Sequence, residues 1–281
     1  MGIINVTPDS FSGDGLLLSP DYVARAMEQA EEMVAEGADM LDIGGESTRP
    51  GYIPVLPEEE LRRVIPVVSA IRNKLKNIPL AVDTMKADVA EEALKAGASV
   101  INDISALNAD PRMGDVVRQY RASVILMHNE AMEDAFSHDD VVGGQYNAPS
   151  YDDVVSDVIR ALEVRIEFAL DAGIPKENII LDPGIGFGKT PEQNLALIAR
   201  LGRIKDMGFP VLMALSRKSF IGHVLDTPVD ERMEGTAAAL AISVFQGADI
   251  VRVHDVKFMA RVARMASALR EASLSDASSA S

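Results

Sequence analysis

The segment from Ile179 to Thr190, IILDPGIGFGKT, carries a carboxylate at the point where a short aliphatic run changes into a glycine-spaced loop. The aliphatic residues predict a buried strand that ends at Asp182, and a helix is predicted to follow from Pro191. A charged residue at the carboxyl end of such a strand lies where α/β proteins place their chemistry. Taken alone, Asp182 is equally well explained as the cap of a turn.

The same arrangement recurs along the chain, because nearly every predicted strand ends in a residue that can hydrogen-bond or carry charge. These residues are Asn5, Gly44, Gly45, Asp83, Asn102, Asp103, His128, Asp182, Ser216, Arg217, Lys218, Arg252 and His254. One such residue is usually a turn cap. A complete set is better explained by a binding site where the strand ends converge.

Part of this set suits a flat heterocycle. Asp83, Asn102 and Asp182 supply acceptors for an amidine-like N–H edge, because a carboxylate accepts two parallel N–H bonds. Lys218 adds a donor for a ring carbonyl or nitrogen. The alternative for Lys218 is a solvated loop lysine.

Another part of the set suits a phosphate. Arg252 and His254 alternate along the last predicted strand, which neighbours the strand of Asn5 in a closed barrel. Together they form a cationic and amide corner for phosphate oxygens. The alternative for Arg252 and His254 is a salt bridge to a strand-end carboxylate, which the acidic composition also favours.

The loops after the first two predicted strands are long and contain many small residues. Among their larger or charged residues are Asp9, Phe11, Asp14, Thr48 and Arg49. Long glycine-bearing loops at the active face of a barrel act as lids, so we expect 6–19 and 44–56 to order over bound ligands. Phe11 can cover an aromatic substrate or, alternatively, pin its loop as a hydrophobic plug.

Hydrophobic periodicity predicts the elements that position these residues. Strands are predicted at 2–5, 40–43, 80–83, 99–103, 123–127, 179–182, 211–215 and 250–253, and helices at 20–36, 57–76, 86–96, 112–120, 151–172, 191–201, 232–246 and 256–272. Eight strand–helix pairs predict an α/β fold of one domain, a (β/α)₈ TIM barrel over residues 1–272. A doubly wound parallel sheet is the alternative, since it alternates in the same way.

Two segments fall outside this alternation. Residues 128–150 are predicted to form a long loop, which at this length needs a functional or disorder explanation. Residues 273–281, SLSDASSAS, are small and polar and predict a disordered tail.

Composition limits the class of protein. The 281 residues are 47% hydrophobic and 25% charged, which is typical of one large soluble domain. The net charge of −16 argues against nucleic acid and anionic membranes as partners, although local cations can still bind an anionic substrate. Cysteine is absent, so disulfides and thiolate chemistry are excluded and an intracellular location is permitted.

Seven motifs occur in order along almost the whole chain. They are NVTPDSF from Asn5, ESTRPG from Glu46, VDT from Val82, IND from Ile101, DPGIGFGK from Asp182, SRKS from Ser216 and RVH from Arg252. Together they resemble dihydropteroate synthase. That family is a (β/α)₈ barrel that joins 6-hydroxymethyl-7,8-dihydropterin diphosphate to p-aminobenzoate in folate synthesis and releases pyrophosphate.

The resemblance implies a role for each matching residue. It implies a pterin pocket of Asp83, Asn102, Asp182, Phe187 and Lys218, a pyrophosphate site of Asn5, Arg252 and His254, and a p-aminobenzoate side of Phe11, Thr48, Arg49, Pro50 and Ser219. Asn5, Asp83, Lys218, Arg252 and His254 would carry the catalysis, and Asn5 would also bind Mg²⁺. The resemblance further implies a cytoplasmic homodimer and a family targeted by sulfonamides.

The implied reaction needs no protein nucleophile. Electron release from the reduced pterin lets pyrophosphate leave first, in an S_N1-like step, and the aromatic amine traps the cation. The protein would position the substrates and stabilise the departing negative charge.

Three features depart from the family pattern. The chain begins at the first barrel strand, so the hairpin that usually closes the barrel floor is expected to be missing. The first loop reads FSGDG where the family commonly has FSDGG, which leaves the role of Asp14 open. The sequence after His128 replaces the usual continuation and has no assigned function.

Two other functions stay open. A pterin-binding methyltransferase domain shares the barrel and the pterin pocket, but it has no pyrophosphate to bind with the SRKS and RVH motifs. A pterin-binding barrel made inactive by its altered loops is the other possibility. Pyrophosphate release, or pterin binding without turnover, distinguishes them.

Overall fold

The computed structural model of the chain describes residues 1–7, 16, 21–47, 54–131, 136–139 and 142–279. The strands are β1 (Gly2–Asn5), β2 (Leu41–Gly44), β3 (Leu80–Asp83), β4 (Val100–Asp103), β5 (Ser123–Met127), β6 (Phe136–Asp139), β7 (Gly143–Tyr146), β8 (Ile179–Asp182), β9 (Leu212–Ala214) and β10 (Ile250–Arg252). The helices are α1 (Tyr22–Ala35), α2 (Pro57–Lys74), α3 (Ala87–Lys95), α4 (Met113–Tyr120), α5 (Val154–Asp171), α6 (Pro191–Ala199), α7 (Gly202–Lys205), α8 (Ser219–Leu225), α9 (Met233–Phe245) and α10 (Val256–Ser279).

Eight parallel strands close into a barrel. Hydrogen bonds connect β1, β2, β3, β4, β5 and β8 in that order, and β9 pairs with β10. Parallel bridges from Leu181 to Val211 and from Gly2 to Val253 join these two groups on both sides. Both edges of the sheet are therefore paired, which confirms the predicted (β/α)₈ barrel and excludes the open, doubly wound sheet.

Strand alternation divides the apolar residues between two cores. One face of each strand packs against the surrounding helices, as Val82 and Ile101 do with Val64 and Val68 in the large outer cluster. The other face points into the barrel, where Met1, Ala81, Val100, Ile125, Ile180, Leu212 and Ala214 form a separate buried cluster. Successive side chains point to opposite faces of a strand, so polar residues two positions further along also point inward.

Each of the eight predicted helices is present with approximately the predicted bounds, and the structure contains two further helices. The short helices α7 and α8 were not predicted. α8 follows directly from the SRK segment, and α2 begins at Pro57 with three glutamates in its first turn, as predicted.

Two predictions about irregular segments are wrong. Residues 128–150 contain an antiparallel hairpin, β6 with β7, rather than only a loop. Helix α10 continues to Ser279, so residues 273–279 are helical and do not form a disordered tail.

Several predicted residues lie outside the described part of the chain. They are Asp9, Phe11, Asp14, Thr48, Arg49 and Pro50, together with most of the predicted lid segments. Within the described residues, no helix combines the length and the apolar character that crossing a membrane requires.

Candidate functional site

The carboxyl end of the barrel interior contains a network of charged side chains. Arg252 at the end of β10 donates from Nε to Asp42 Oδ2 at 2.5 Å and from Nη2 to Asp83 Oδ2 at 3.0 Å. Asn102 donates from Nδ2 to the same Asp42 oxygen at 3.1 Å. Side chains from β2, β3, β4 and β10 therefore meet in one network. The bridge between β1 and β10 closes the barrel and brings β10 to this side of the site.

Asp42 is the member of this network that sequence reasoning missed. It is the second residue of the four-residue strand LDIG and is fully buried. Its Oδ1 has no hydrogen-bond partner among the described residues. A carboxylate inside a buried strand needs a charged partner. The position of Asp42 in an aliphatic strand could therefore have indicated a buried ion pair.

Arg252 shows the arrangement that sequence analysis gave as its alternative, a salt bridge to strand-end carboxylates. Burial opposes the charge of Arg252, but Asp42 and Asp83 outweigh burial and raise the pKa of the guanidinium above its ordinary value. For Asp83, burial is the larger effect and raises the pKa to about 7, although Arg252 acts in the opposite direction. The Asp83 carboxyl can therefore change protonation near neutral pH.

Asp182 begins the glycine loop that sequence analysis singled out. Its Oδ1 accepts from Gly184 N at 2.7 Å, and its backbone oxygen accepts from His128 N at 2.9 Å. Burial raises the pKa of Asp182, and the nearby Lys218 ammonium opposes that shift. The carboxylate is buried, and its position at the end of β8 gives it the inward direction that Asp83 has on β3.

Lys218 and Phe187 approach each other across the same loop. The Lys218 ammonium lies 5.0 Å from the centroid of the Phe187 ring and donates to Ile185 O. Burial lowers the pKa of Lys218 to about 8, against the attraction of Asp182. Its described contacts are with the loop, and the Asp182 and Asp83 carboxylates act on its charge, so the solvated-lysine alternative does not hold.

The predicted phosphate corner lies at the junction of β1 with β10. His254 Nδ1 lies 2.9 Å from Ser216 Oγ. A Cβ placed on Gly44 would lie 3.7 Å from the Asp83 Cβ and 4.0 Å from Asn5 Oδ1, so Asn5 and Asp83 border the same space. Both distances are ordinary van der Waals contacts, so Gly44 separates the two side chains closely.

The residue predicted to bind the p-aminobenzoate carboxylate, Ser219, is the first residue of α8. The turn before it contains Arg217, whose φ of 59° lies in the left-handed region. Arg217 makes a bidentate pair with Asp255, at 3.0 Å from Nε and 2.6 Å from Nη2. This pair connects the SRKS segment with the residues that follow His254.

A buried arginine connects the unpredicted hairpin with this turn. Arg232 is fully buried and donates to Arg217 O at 3.1 Å, Val142 O at 3.0 Å and Thr227 O at 3.1 Å. Its guanidinium thus binds the SRKS turn, the β6–β7 turn and the residues after α8 together. Residues 128–150 therefore contribute to the support of the SRKS segment.

Another buried cluster supports the start of the second loop. Lys86 donates to Glu60 Oε2 at 2.5 Å and to Glu46 Oε2. Glu46 Oε1 accepts from Val55 N at 3.0 Å, which connects the described residues on either side of 48–53. Sequence reasoning quoted Glu46 in a motif but did not predict this cluster.

His128, another residue of the predicted set, has its hydrogen-bond partner in the glycine loop. It is buried, and its Nδ1 lies 3.0 Å from the ammonium of Lys189. Burial, reinforced by the Lys189 charge, lowers the pKa of His128 to about 3, so the imidazole is neutral at physiological pH.

Comparison with known proteins identifies the family. The family model described as "Pterin binding enzyme" matches residues 1–254. The dihydropteroate synthase of Bacillus subtilis is 47% identical over 269 residues, covering 96% of this chain and 87% of the relative. That of Clostridium beijerinckii is 46% identical, covering 94% of this chain and 91% of the relative.

Solved structures agree with these relatives. Dihydropteroate synthase from Yersinia pestis in a sulfonamide drug complex aligns with a TM-score of 0.88 at 40% identity, covering 96% of this chain and 94% of the other. The enzyme from Xanthomonas albilineans with 4-aminobenzoic acid aligns with a TM-score of 0.85 at 42% identity, covering 96% and 92%. This chain belongs to the dihydropteroate synthase family of pterin binding enzymes.

Proposed function

We propose that this transferase condenses 6-hydroxymethyl-7,8-dihydropterin diphosphate with p-aminobenzoate to give 7,8-dihydropteroate and pyrophosphate. The observation that carries the proposal is the polar layer at the carboxyl end of the barrel. There Arg252 donates to Asp42 and Asp83, Asn102 donates to Asp42, and the Asp182 and Asp83 carboxylates act on the pKa of Lys218. Carboxylates on one side and cations on the other match a pterin ring with a diphosphate attached.

The pterin half of the site consists of strand-end side chains. Asp182 and Asp83 accept from the N–H edge of the ring, and Asn102 adds an amide that is already oriented by Asp42. Lys218 donates to the ring carbonyl or nitrogen when it leaves Ile185 O, and Phe187 covers one face of the ring. These groups fix the substrate in one orientation before the reaction.

The diphosphate half uses Arg252, His254 and Asn5. Asp42 and Asp83 already accept hydrogen bonds from Arg252. Phosphate oxygens would therefore compete with these two carboxylates for the Arg252 donors. His254, oriented by Ser216, adds a second donor at the same corner. The positive charge of Arg252 stabilises the negative charge that builds up on the departing pyrophosphate.

Mg²⁺ is proposed as the metal cofactor, with Asn5 as its protein ligand. Among the described residues, no group of three or more acidic or histidine side chains is arranged to bind a metal ion. Mg²⁺ fits the site in another way, because it usually keeps several waters and takes one or two protein oxygens together with substrate phosphates. Asn5 Oδ1 lies beside Gly44, and the bound ion would neutralise diphosphate charge there.

The p-aminobenzoate half is proposed on Ser219 with Phe11, Thr48, Arg49 and Pro50. Ser219 follows Lys218 directly, so a carboxylate bound there would lie beside the residue proposed to bind the pterin. The C–O bond to pyrophosphate breaks with its electron pair, the amine nitrogen forms the new C–N bond, and the nitrogen proton leaves to solvent or pyrophosphate. The protein contributes orientation and charge stabilisation to these steps.

An assay for the two products tests the proposal. The protein is incubated with both substrates and Mg²⁺, and dihydropteroate and pyrophosphate are measured together. Equal amounts of both are expected. Methyl transfer from a folate without pyrophosphate release would indicate the methyltransferase function, and pterin binding without product would indicate the inactive barrel. The homodimer and the cytoplasmic location stay predictions.

A further inference from the structure

A buried lysine lies behind the glycine loop of the pterin pocket. Lys189 is the last residue of the DPGIGFGK motif, and its side chain is inaccessible to solvent. No described carboxylate forms an ion pair with it, although transferring an unpaired ammonium from water to a protein interior costs several kcal/mol. The position therefore requires other acceptors for the ammonium group.

Those acceptors are carbonyl oxygens and one imidazole. Lys189 Nζ donates to Phe187 O at 2.8 Å, to Gly184 O at 2.9 Å and to His128 Nδ1 at 3.0 Å. His128 O is a fourth, longer contact at 3.4 Å, and an ammonium has only three N–H donors, so its full capacity is used. Two of the acceptors belong to the loop itself, and the other two belong to His128 at the neighbouring strand exit.

The glycines let the loop wrap around the ammonium. Gly184, Gly186 and Gly188 have φ values of 69°, 85° and 61°. Such left-handed residues turn successive peptide groups, so the carbonyls of Gly184 and Phe187 face the same point. A Cβ on Gly184 would lie 1.9 Å from His128 O, so the loop packs directly against the end of β5.

The opposite side of the loop faces the site. Lys218 donates to Ile185 O, and its ammonium lies 5.0 Å from the Phe187 ring. Asn194 Oδ1 accepts from Gly186 N at 2.8 Å and fixes the same turn from α6. The Phe187 ring is thus presented to the site by a backbone whose carbonyl is bound to Lys189.

We propose that Lys189 is a positioning residue for the pterin pocket, whose ammonium sets the shape of the 183–188 loop and thereby the place of the Phe187 ring. All donors of Lys189 are used behind the loop, so it does not touch the substrate. The expected effect of Lys189 on pterin binding rests on the proposed function. Its expected effect on the shape of the 183–188 loop does not.

The neutral state of His128 supports this arrangement. Burial lowers the pKa of His128 to about 3, so its Nδ1 is available to accept from Lys189.

Lys189→Met tests the inference, because methionine keeps the length of the side chain and removes the donors. Pterin binding is followed by pterin fluorescence, which is favourable because the chain has no tryptophan. We expect about 10- to 100-fold weaker pterin binding, since a loop carbonyl loses its charged partner. The KM for p-aminobenzoate should change less than about twofold, because the hydrogen bonds of Lys189 among the described residues go to the loop and to His128 and not to Ser219.

Lys205→Met is the matched control. Lys205 also donates to a backbone carbonyl, Phe209 O at 3.1 Å, and to Asp249 at 2.5 Å, but it lies at the amino end of the barrel. Its loss should lower thermal stability and leave pterin affinity unchanged.

A second readout follows the loop without any substrate. The eight phenylalanines are labelled with fluorine, and Phe187→Leu assigns the resonance of Phe187. Lys189→Met should shift or broaden that resonance in the ligand-free protein, whereas Lys205→Met should not. If the wild-type protein binds no pterin, the proposed function fails, and this arm still decides the role of Lys189.

The result that would overturn the inference is a folded Lys189→Met protein with wild-type pterin affinity and an unchanged Phe187 resonance. If that variant does not fold, His128→Leu removes one acceptor and keeps the two loop carbonyls. We then expect about a 3- to 10-fold loss of pterin affinity. Unchanged affinity and an unchanged Phe187 resonance in His128→Leu would equally overturn it.

Discussion

The two ends of the barrel interior are built on the same strands and have opposite chemistry. Towards the amino end, Ala81, Val100 and Ile180 pack in a buried apolar cluster. Two residues further along the same strands, Asp83, Asn102 and Asp182 form a polar layer. Alternation along the strands places both sets inward, so one architecture provides a rigid base and a charged binding surface.

The two layers differ in the interactions that stabilise them. The apolar layer needs only close packing, whereas the charged layer needs partners, and Arg252 supplies them to Asp42 and Asp83. A substrate that carries both N–H donors and phosphate can compete for these partners. We therefore expect substitutions in the polar layer to alter substrate binding, and substitutions in the apolar layer to alter stability.

The largest effect is expected for Arg252→Met. It leaves Asp42 and Asp83 as uncompensated buried carboxylates and removes the phosphate donor. Loss of one partner of a buried charged pair costs about 2–5 kcal/mol, so turnover at low pterin diphosphate should fall at least about 30-fold. Adding Asp42→Asn should recover part of the lost unfolding free energy but none of the turnover. Recovery of turnover would mean that Arg252 acts only through Asp42.

A smaller loss is expected for Asp182→Asn. The amide places a donor against the N–H edge of the pterin, which costs about 1–3 kcal/mol, or roughly 5- to 150-fold in affinity. Calorimetric titration with a pterin that lacks the diphosphate measures this directly. If Asp182→Asn binds this pterin with wild-type affinity, the N–H edge of the ring does not contact Asp182.

The pH dependence should report the two groups of the polar layer whose pKa values lie near neutrality, Asp83 and Lys218. Raising pH above about 7 ionises Asp83 and favours binding, and raising it above about 8 deprotonates Lys218 and weakens binding. A bell-shaped profile of kcat/KM for pterin diphosphate is expected, and Asp83→Asn should remove its acidic limb. An unchanged acidic limb in Asp83→Asn would assign that limb to another group.

Asp83 also affects stability with a defined sign. Its pKa is raised from an ordinary 3.8 to about 7, so between these values the folded protein binds more protons than the unfolded chain. The Asp83 contribution to stability is therefore lost as pH rises from about 4 to 7. Urea unfolding across that range should show a flatter profile for Asp83→Asn than for wild type.

The smallest effect on substrates is expected in the apolar layer. Ile125→Ala leaves a cavity below the polar layer and should cost about 2–5 kcal/mol of unfolding free energy. The KM for pterin diphosphate should stay within about twofold at a temperature where the variant is folded. A large rise in KM would show that the two layers are coupled through packing.

Sequence patterns predicted the barrel and most of the strand-end residues because both leave local signals. Aliphatic runs that end in Asp83, Asn102, Asp182 and Arg252 can be recognised without tertiary information. The partners of these residues cannot, since Arg252 and Asp42 are brought together only when β10 closes against β1.

The buried charges were missed for the same reason. Lys189 and Arg232 look like ordinary polar residues in a loop and at a helix start, and only the packed structure buries them. The hairpin of residues 136–146 was missed because its glycines and acidic residues favour loops, and docking through Val142 to Arg232 overrides that preference. Helix α10 likewise extends through small residues with weak helical signals.

The most direct test of the polar layer compares two ligands in two proteins. The affinities of pterin and of pterin diphosphate are measured with Mg²⁺ by calorimetry, in wild type and in Arg252→Met. The diphosphate should strengthen binding to the wild type, and most of that gain should disappear in the variant while pterin itself loses much less. Equal losses for both ligands would contradict the account and show that Arg252 is only a structural partner of Asp42 and Asp83.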